Sequence, residues 1–171
     1  MISDDEGPFA PERAGGLPYF QLIPLCYSGR YTQKDLMKHI QRAGGLAAYF
    51  GTTDSRDVEK LIEQGDEKAS LIYQAMALNV AKNIAKLAPV VNGRLNAIIL
   101  TGGIAYSKLF TGWIKKRVDF IAPVAVIPGE NEMKALAFGG LRVLRGEETA
   151  RRIADPDPAA CSCGNDEASR H

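Results

Sequence analysis

Asn96-Ala97-Ile98-Ile99-Leu100-Thr101-Gly102-Gly103-Ile104-Ala105 sets the architecture of this chain. A short, nearly all-apolar run suits a strand covered on both faces of a sheet, and two glycines stand directly behind it. They let the backbone turn sharply and approach a ligand with no side chain in the way. A helix expected over about 106–117 would aim its N-terminal amides and the positive end of its dipole at that turn. Pro123-Val124-Ala125-Val126-Ile127 repeats the pattern, is broken by Pro128-Gly129, and leads into a helix expected over about 131–144. That second helix is small along one side, at Ala135, Ala137, Gly139 and Gly140. Two strand–turn–helix units in succession predict an α/β layer with a parallel sheet.

Upstream the rhythm is helical. Residues 3–18 are punctuated by Gly7, Pro8, Pro11, Gly15, Gly16 and Pro18, which predicts a loop. Thr32 can cap a helix over about 33–42, with Leu36, Met37 and Ile40 on one face and Gly44-Gly45 at its end. Leu46–Phe50 reads as a short apolar strand. Asp54 or Ser55 can cap a helix over about 56–64, which Gly65 stops. A long helix over about 66–87 follows, with Ala69, Ile72, Tyr73, Met76, Val80, Ile84 and Leu87 at spacings of three and four, closed by Pro89. From Asp155 onward no period survives, which predicts a disordered tail.

Composition excludes several classes of function. The chain is 46% hydrophobic and 24% charged, the balance of a globular domain. Lys and Arg number 21 against 20 Asp and Glu, so there is no basic field for nucleic acid or an anionic membrane. No apolar run reaches the roughly 20 residues of a membrane span. Met1-Ile2-Ser3-Asp4-Asp5-Glu6 is acidic where a secretion signal would be basic and then apolar, so a cytoplasmic protein is expected. Cys26, beside an apolar stretch, reads as a small buried hydrophobe. Cys161 and Cys163 form a lone C-x-C with no second pair, which predicts no metal site in the tail.

The candidate chemistry lies in four places. The Gly102-Gly103 turn could cradle a ligand beyond the carboxyl end of its strand, or be a tight turn and nothing more. It is neither a Rossmann fingerprint nor a P-loop. In Thr53-Asp54-Ser55-Arg56-Asp57, an acidic acceptor and a planar cation could grip a ligand, or the segment could simply cap a helix. Arg13, on a proline-stiffened segment, could neutralise a transferring phosphoryl group or be a solvated arginine. Glu130 and Glu132, after the second strand, could serve Mg²⁺ or decorate a helix start. His39 sits among lysines and reads as solvent-facing, and no Ser/His/Asp or Cys/His set stands out.

Several segments together resemble butyrate kinases. Ile99–Phe110 is similar to their adenosine-binding loop, Gly129–Ala137 and Leu141–Glu148 match further motifs, and Glu6–Gly15, Cys26–Tyr31, Gly51–Lys60 and Gly65–Lys68 follow in family order. The likeness covers about residues 5–150. It implies a branch of the acetate kinase, sugar kinase, Hsp70 and actin superfamily. The expected fold is a ribonuclease-H-like C-terminal domain with a mixed sheet flanked by helices. Residues 1–18 would continue from an N-terminal half, 19–150 would form the nucleotide-binding domain, and 151–171 a tail. Gly102, Gly103 and Ile104 would line the adenine pocket with Ser107 near the nucleotide, and Asp54, Ser55 and Arg56 would contact adenosine from the other side. Arg13 matches an active-site arginine, and Glu132, or else Glu130, a glutamate that positions Mg²⁺. The implied reaction joins ATP and butanoate, giving butanoyl phosphate and ADP, in an enzyme expected to be a homo-oligomer. A branched-chain or other short-chain acid kinase, or a non-catalytic nucleotide-binding or assembly fragment, are the competing readings. Family members are about twice as long, so the first phosphate loop, the substrate pocket and a His-Leu-Gly-Gly-Gly loop are expected upstream, and the chain alone is expected to be inactive. Half of an interdomain cleft without its partner also predicts an exposed apolar surface.

Overall fold

The structure, a computed structural model, describes residues 7–129 and 132–149. It divides into two units, Met1–Glu130 and Asn131–His171. The first opens with a loop and then α1 (Tyr19–Cys26), α2 (Gln33–Gln41), α3 (Gly45–Phe50), α4 (Ser55–Glu63) and α5 (Glu67–Leu87). A 3₁₀ turn at Ala88–Val91 leads to β1 (Ile98–Gly102), a second 3₁₀ turn at Gly103–Tyr106, α6 (Lys108–Val118) and β2 (Val124–Pro128). The second unit contributes α7 (Glu132–Leu144).

Four helix starts have a local cause. Thr32 and Asp35 form a reciprocal capping box at α2, Asp54 caps α4, Asp66 accepts from the Ala69 amide of α5, and Ser107 accepts from the Phe110 amide of α6. At the far end of α7, the Gly146 amide donates to Val143 (3.0 Å) and the Glu147 amide to Arg142 (2.9 Å). With Gly146 at φ 73°, this is a Schellman ending.

The core lies where α5 crosses α6 and both lean on one face of the sheet. Ala69, Tyr73, Met76, Ala77 and Ala81 are the buried stripe of α5, and Phe110, Thr111, Ile114 and Val118 that of α6. Ile98 from β1, Leu46 from α3 and Val58 from α4 complete it. Tyr73 is its centre, with ring centroids 4.9 Å from Phe110 and 5.9 Å from Trp113, an edge-on arrangement for the latter. Ile72, Val80 and Ile84 pack against this core, as their spacing predicts, whereas Leu87 is exposed.

β1 and β2 pair in parallel, Ile98 opposite Val124 through Gly102 opposite Pro128. Side chains alternate across a strand, so Ile98, Leu100 and Val124 share the face that packs on the core. Ile99, Ala125, Thr101 and Ile127 share the other face, and Ile99 and Ile127 are 60% and 53% exposed. The expectation of strands covered on both sides is therefore corrected: Ile99 and Ile127 stand exposed on the face turned away from the core.

Two further expectations change, and one helix was not foreseen. Leu46–Phe50 is helical, not a strand, because the amides of Leu46 and Ala47 are taken up by the carbonyls of Ala10 (3.3 Å) and Pro11 (2.9 Å), giving α3 an N-terminal cap that lies far away in sequence. Gly51, at φ 70°, ends it. α1, to which sequence reasoning assigned no element, follows Pro18 and carries Pro24 inside it. Cys26, at the end of α1, is exposed rather than buried, since no side chain of that helix enters the core. His39 is exposed as expected, its ring edge-on to Tyr31 at 5.7 Å. The tail expected at 151–171 lies outside the described residues.

Candidate functional site

The start of α4 is a compact charged clasp. The Asp54 carboxylate accepts from the Arg56 amide at 2.9 Å, which makes it the helix cap. The Arg56 Nε donates to both Asp54 oxygens, at 2.9 and 3.0 Å, and Nη2 adds a further bond. Thr52 Oγ1 accepts from the Asp54 amide at 3.1 Å and reaches Asp57 Oδ2 at 3.2 Å. The Arg56 side chain, and then its amide, hold the Asp54 carboxyl down to about 2. Capping and ligand-binding were competing uses of this segment; the cap is present, and it fixes both charged groups in place.

The β1–α6 turn is shaped by conformation. Gly102 sits at φ 92° and ψ 179°, a region closed to other residues, while the space where its Cβ would point is open for 4 Å. Gly102 and Gly129 exchange backbone hydrogen bonds (3.3 and 3.1 Å), a small antiparallel bridge that ties the ends of the two parallel strands. Gly129 is at φ 103°, and an added Cβ would stand 3.0 Å from the Tyr106 hydroxyl.

These two segments, about fifty positions apart, meet at one cleft of about 800 Å³, within the usual range for small-molecule sites. Thr53, Asp54, Ser55, Arg56 and Glu59 line it from α4, and Gly103, Ile104, Tyr106 and Ser107 from the β1–α6 turn, with Pro11 from the N-terminal loop. Beneath it the fully buried Tyr73 donates from its hydroxyl to Glu59 Oε1 at 2.7 Å. Burial, and then the bond to Glu59, push the Tyr73 hydroxyl far above its ordinary range.

Of the residues singled out from sequence, Asp54, Ser55, Arg56, Gly103, Ile104 and Ser107 line this cleft, and Gly102 adjoins it. Arg13 lines a different depression of about 530 Å³, with Glu12, Gln41 and Arg42. Glu132 opens α7 of the second unit, and Glu130 lies outside the described residues. Among the described residues no group of three His, Cys, Asp or Glu side chains could enclose a metal ion. Mg²⁺ keeps most of its water and needs only one or two carboxylates when it rides on phosphates, so that chemistry does not require a protein-made cage. Sequence reasoning missed Glu59, Tyr73 and Tyr106. Glu59 stands one helical turn beyond Ser55 and so on the same face of α4, a usable signal, whereas Tyr73 was indistinguishable from the apolar stripe around it.

Residues 12–111 match the Acetokinase family. The chain belongs to the acetokinase family. It is 55% identical over 144 residues to a Bacteroides thetaiotaomicron protein named "Probable butyrate kinase", covering 84% of this chain and 41% of that one. It is 50% identical over 149 residues to "Butyrate kinase 2" of Clostridium acetobutylicum, covering 87% of this chain and 42% of the relative. The chain thus spans about two fifths of the length of these curated acetokinase-family relatives. Among solved structures it resembles Porphyromonas gingivalis acetate kinase (TM-score 0.72, 18% identity, 81% of this chain and 41% of that one). It also resembles Entamoeba histolytica acetate kinase (TM-score 0.67, 18% identity, 81% and 43%). At such identities the likeness establishes the shared α/β kinase fold. No described helix is long and apolar enough to cross a membrane.

Proposed function

We propose that the cleft between α4 and the β1–α6 turn takes the adenosine of ATP or ADP, and that the whole protein is a butyrate kinase of the cytoplasm. The observation that carries this is the meeting of Asp54-Ser55-Arg56 with Gly103-Ile104 and Ser107 on one cleft of about 800 Å³. The open approach at Gly102-Gly103 leaves space for a flat base, the Arg56 guanidinium offers a planar cationic face, and the Asp54 carboxylate stays ionised to take donors. The names of the two relatives, at 55% and 50% identity, support butanoate as the acid. In the reaction a carboxylate oxygen of butanoate attacks the terminal phosphorus of ATP, the bond to the bridging oxygen breaks, and ADP leaves. Such transfer depends on positioning and on neutralising charge spread over the phosphoryl oxygens.

Arg13 is assigned to that charge, Glu132, or else Glu130, to the Mg²⁺ that accompanies the phosphates, and residues 19–150 to the nucleotide-binding half of a homo-oligomeric enzyme. When bound, Mg²⁺ supplies further neutralisation of the phosphate oxygens. This chain alone binds nucleotide weakly and turns nothing over. Calorimetry of the chain with ADP tests the site: binding that disappears in Gly103→Asp supports it, whereas no binding by the unaltered chain refutes it. Acyl phosphate production by the whole protein, offered a panel of short-chain acids, tests the acid.

A further inference from the structure

The proposed site leaves one group without a task. Glu59 lines the cleft, is half-buried, and makes no ion pair among the described residues. A carboxylate withdrawn from water and lacking a cation is stable only if hydrogen-bond donors reach it. One donor is supplied from beneath: the Tyr73 hydroxyl, itself fully buried in the core, at 2.7 Å from Oε1. That bond fixes the carboxylate in one rotamer at the floor of the cleft, because Tyr73 is clamped between Phe110 and Trp113. An ionised carboxylate has about four acceptor positions, and Tyr73 fills one. A rigid acceptor with capacity on both oxygens matches two neighbouring hydroxyl donors, which is the chemistry of a ribose diol.

We infer that Glu59 accepts the 2′- and 3′-hydroxyls of the bound nucleotide, and that Tyr73 is the positioning residue that holds it ready to do so. This rests on the nucleotide reading of the cleft and adds a selection to it: ribonucleotides over nucleotides lacking the diol. The arrangement draws on two helices, since Glu59 comes from α4 and Tyr73 from α5.

The test is calorimetry of the chain with ADP and with 2′,3′-dideoxy-ADP, repeated on Glu59→Ala, Glu59→Gln and Tyr73→Phe. The unaltered chain should prefer ADP by about tenfold to a hundredfold, the worth of a charge-assisted hydrogen bond or two. In Glu59→Ala the affinity for ADP should fall to that for the dideoxy compound, whose own binding stays the same. Tyr73→Phe should narrow the gap and leave dideoxy binding unchanged. Equal binding of the two ligands by the unaltered chain overturns the inference while sparing the nucleotide site. Equal weakening of both ligands in Glu59→Ala shows a merely structural side chain and also overturns it. If Glu59→Ala does not fold, Glu59→Gln, which keeps the shape and loses the charge, should reduce the gap to a few-fold; an unchanged gap refutes the assignment. Binding of neither ligand removes the nucleotide reading itself, and this inference with it.

Discussion

Replacing Gly45 by alanine should unseat the whole N-terminal loop. Gly45 adopts φ 57°, and a Cβ there would lie 1.6 Å from the Ala10 carbonyl oxygen and 2.8 Å from that of Arg13. Left-handed backbone alone costs a non-glycine residue about 1–2 kcal/mol. The clash is with backbone, so relief requires the loop to move, and three bonds depend on its position: Gly44 to Glu12 (3.0 Å), Leu46 to Ala10 (3.3 Å) and Ala47 to Pro11 (2.9 Å). At about 1 kcal/mol each, their loss brings the total to roughly 4–5 kcal/mol. For a chain of this size that corresponds to a melting temperature lowered by roughly 10 °C. Gly51 is the internal control, since it has φ 70° but nothing within 4 Å of an added Cβ. Gly51→Ala should therefore show the backbone cost alone, about 1–2 kcal/mol. Urea titration followed by circular dichroism measures both variants. If Gly45→Ala costs no more than Gly51→Ala, the loop is not held as described, and the placement of Pro11 at the cleft loses its explanation.

Asp54, held at about 2 by Arg56, should still be ionised where ordinary carboxylates have taken up protons. A depressed value means that its pairing is intact above the ordinary carboxylate range and fades as pH falls toward 2; carboxyl carbon shifts that titrate near 4 instead would contradict the clasp. Ser107→Ala removes the oxygen that accepts from the Phe110 amide at 2.9 Å, and should cost about 1 kcal/mol, read as a fall of about 2–4 °C in melting temperature. An unchanged melt would mean that α6 begins elsewhere. The exposed Cys26 thiol should react with a thiol reagent in the folded protein, so Cys26→Ser should show one rapidly reacting equivalent fewer than the unaltered chain. Equal counts would place Cys26 out of reach.

The second half of the fold was legible because each element carries its own punctuation. The Ile98–Leu100 run, the glycine pair behind it and the Pro128-Gly129 break locate β1, β2 and the turn that lines the cleft. α5 was legible from spacing, although its buried stripe also includes Ala77 and Ala81, residues that the spacing argument did not pick out. α3 failed because its cap comes from Ala10 and Pro11, more than thirty residues upstream, and no local window contains that information. Burial failed in the same way: sequence shows how apolar a strand is, but not whether a second layer covers it, as Ile99 and Ile127 demonstrate. In the candidate site, Asp54 and Arg56 were visible as types suited to a ligand, and Glu59 could have been found one turn beyond Ser55, while its partnership with Tyr73 is created only by folding.

The reciprocal bonds between Gly102 and Gly129 have a mechanical consequence. Two strands running the same way would ordinarily be free to splay at their ends, yet here the ends are stitched, and each stitch sits on a residue whose backbone no side-chain-bearing amino acid adopts comfortably. Any displacement of Gly129 is thereby conveyed to the turn that precedes α6. The turn offered to the ligand and Gly129 are therefore coupled, and a substitution at Gly129, whose Cβ would stand 3.0 Å from the hydroxyl of the cleft-lining Tyr106, should be felt in the cleft.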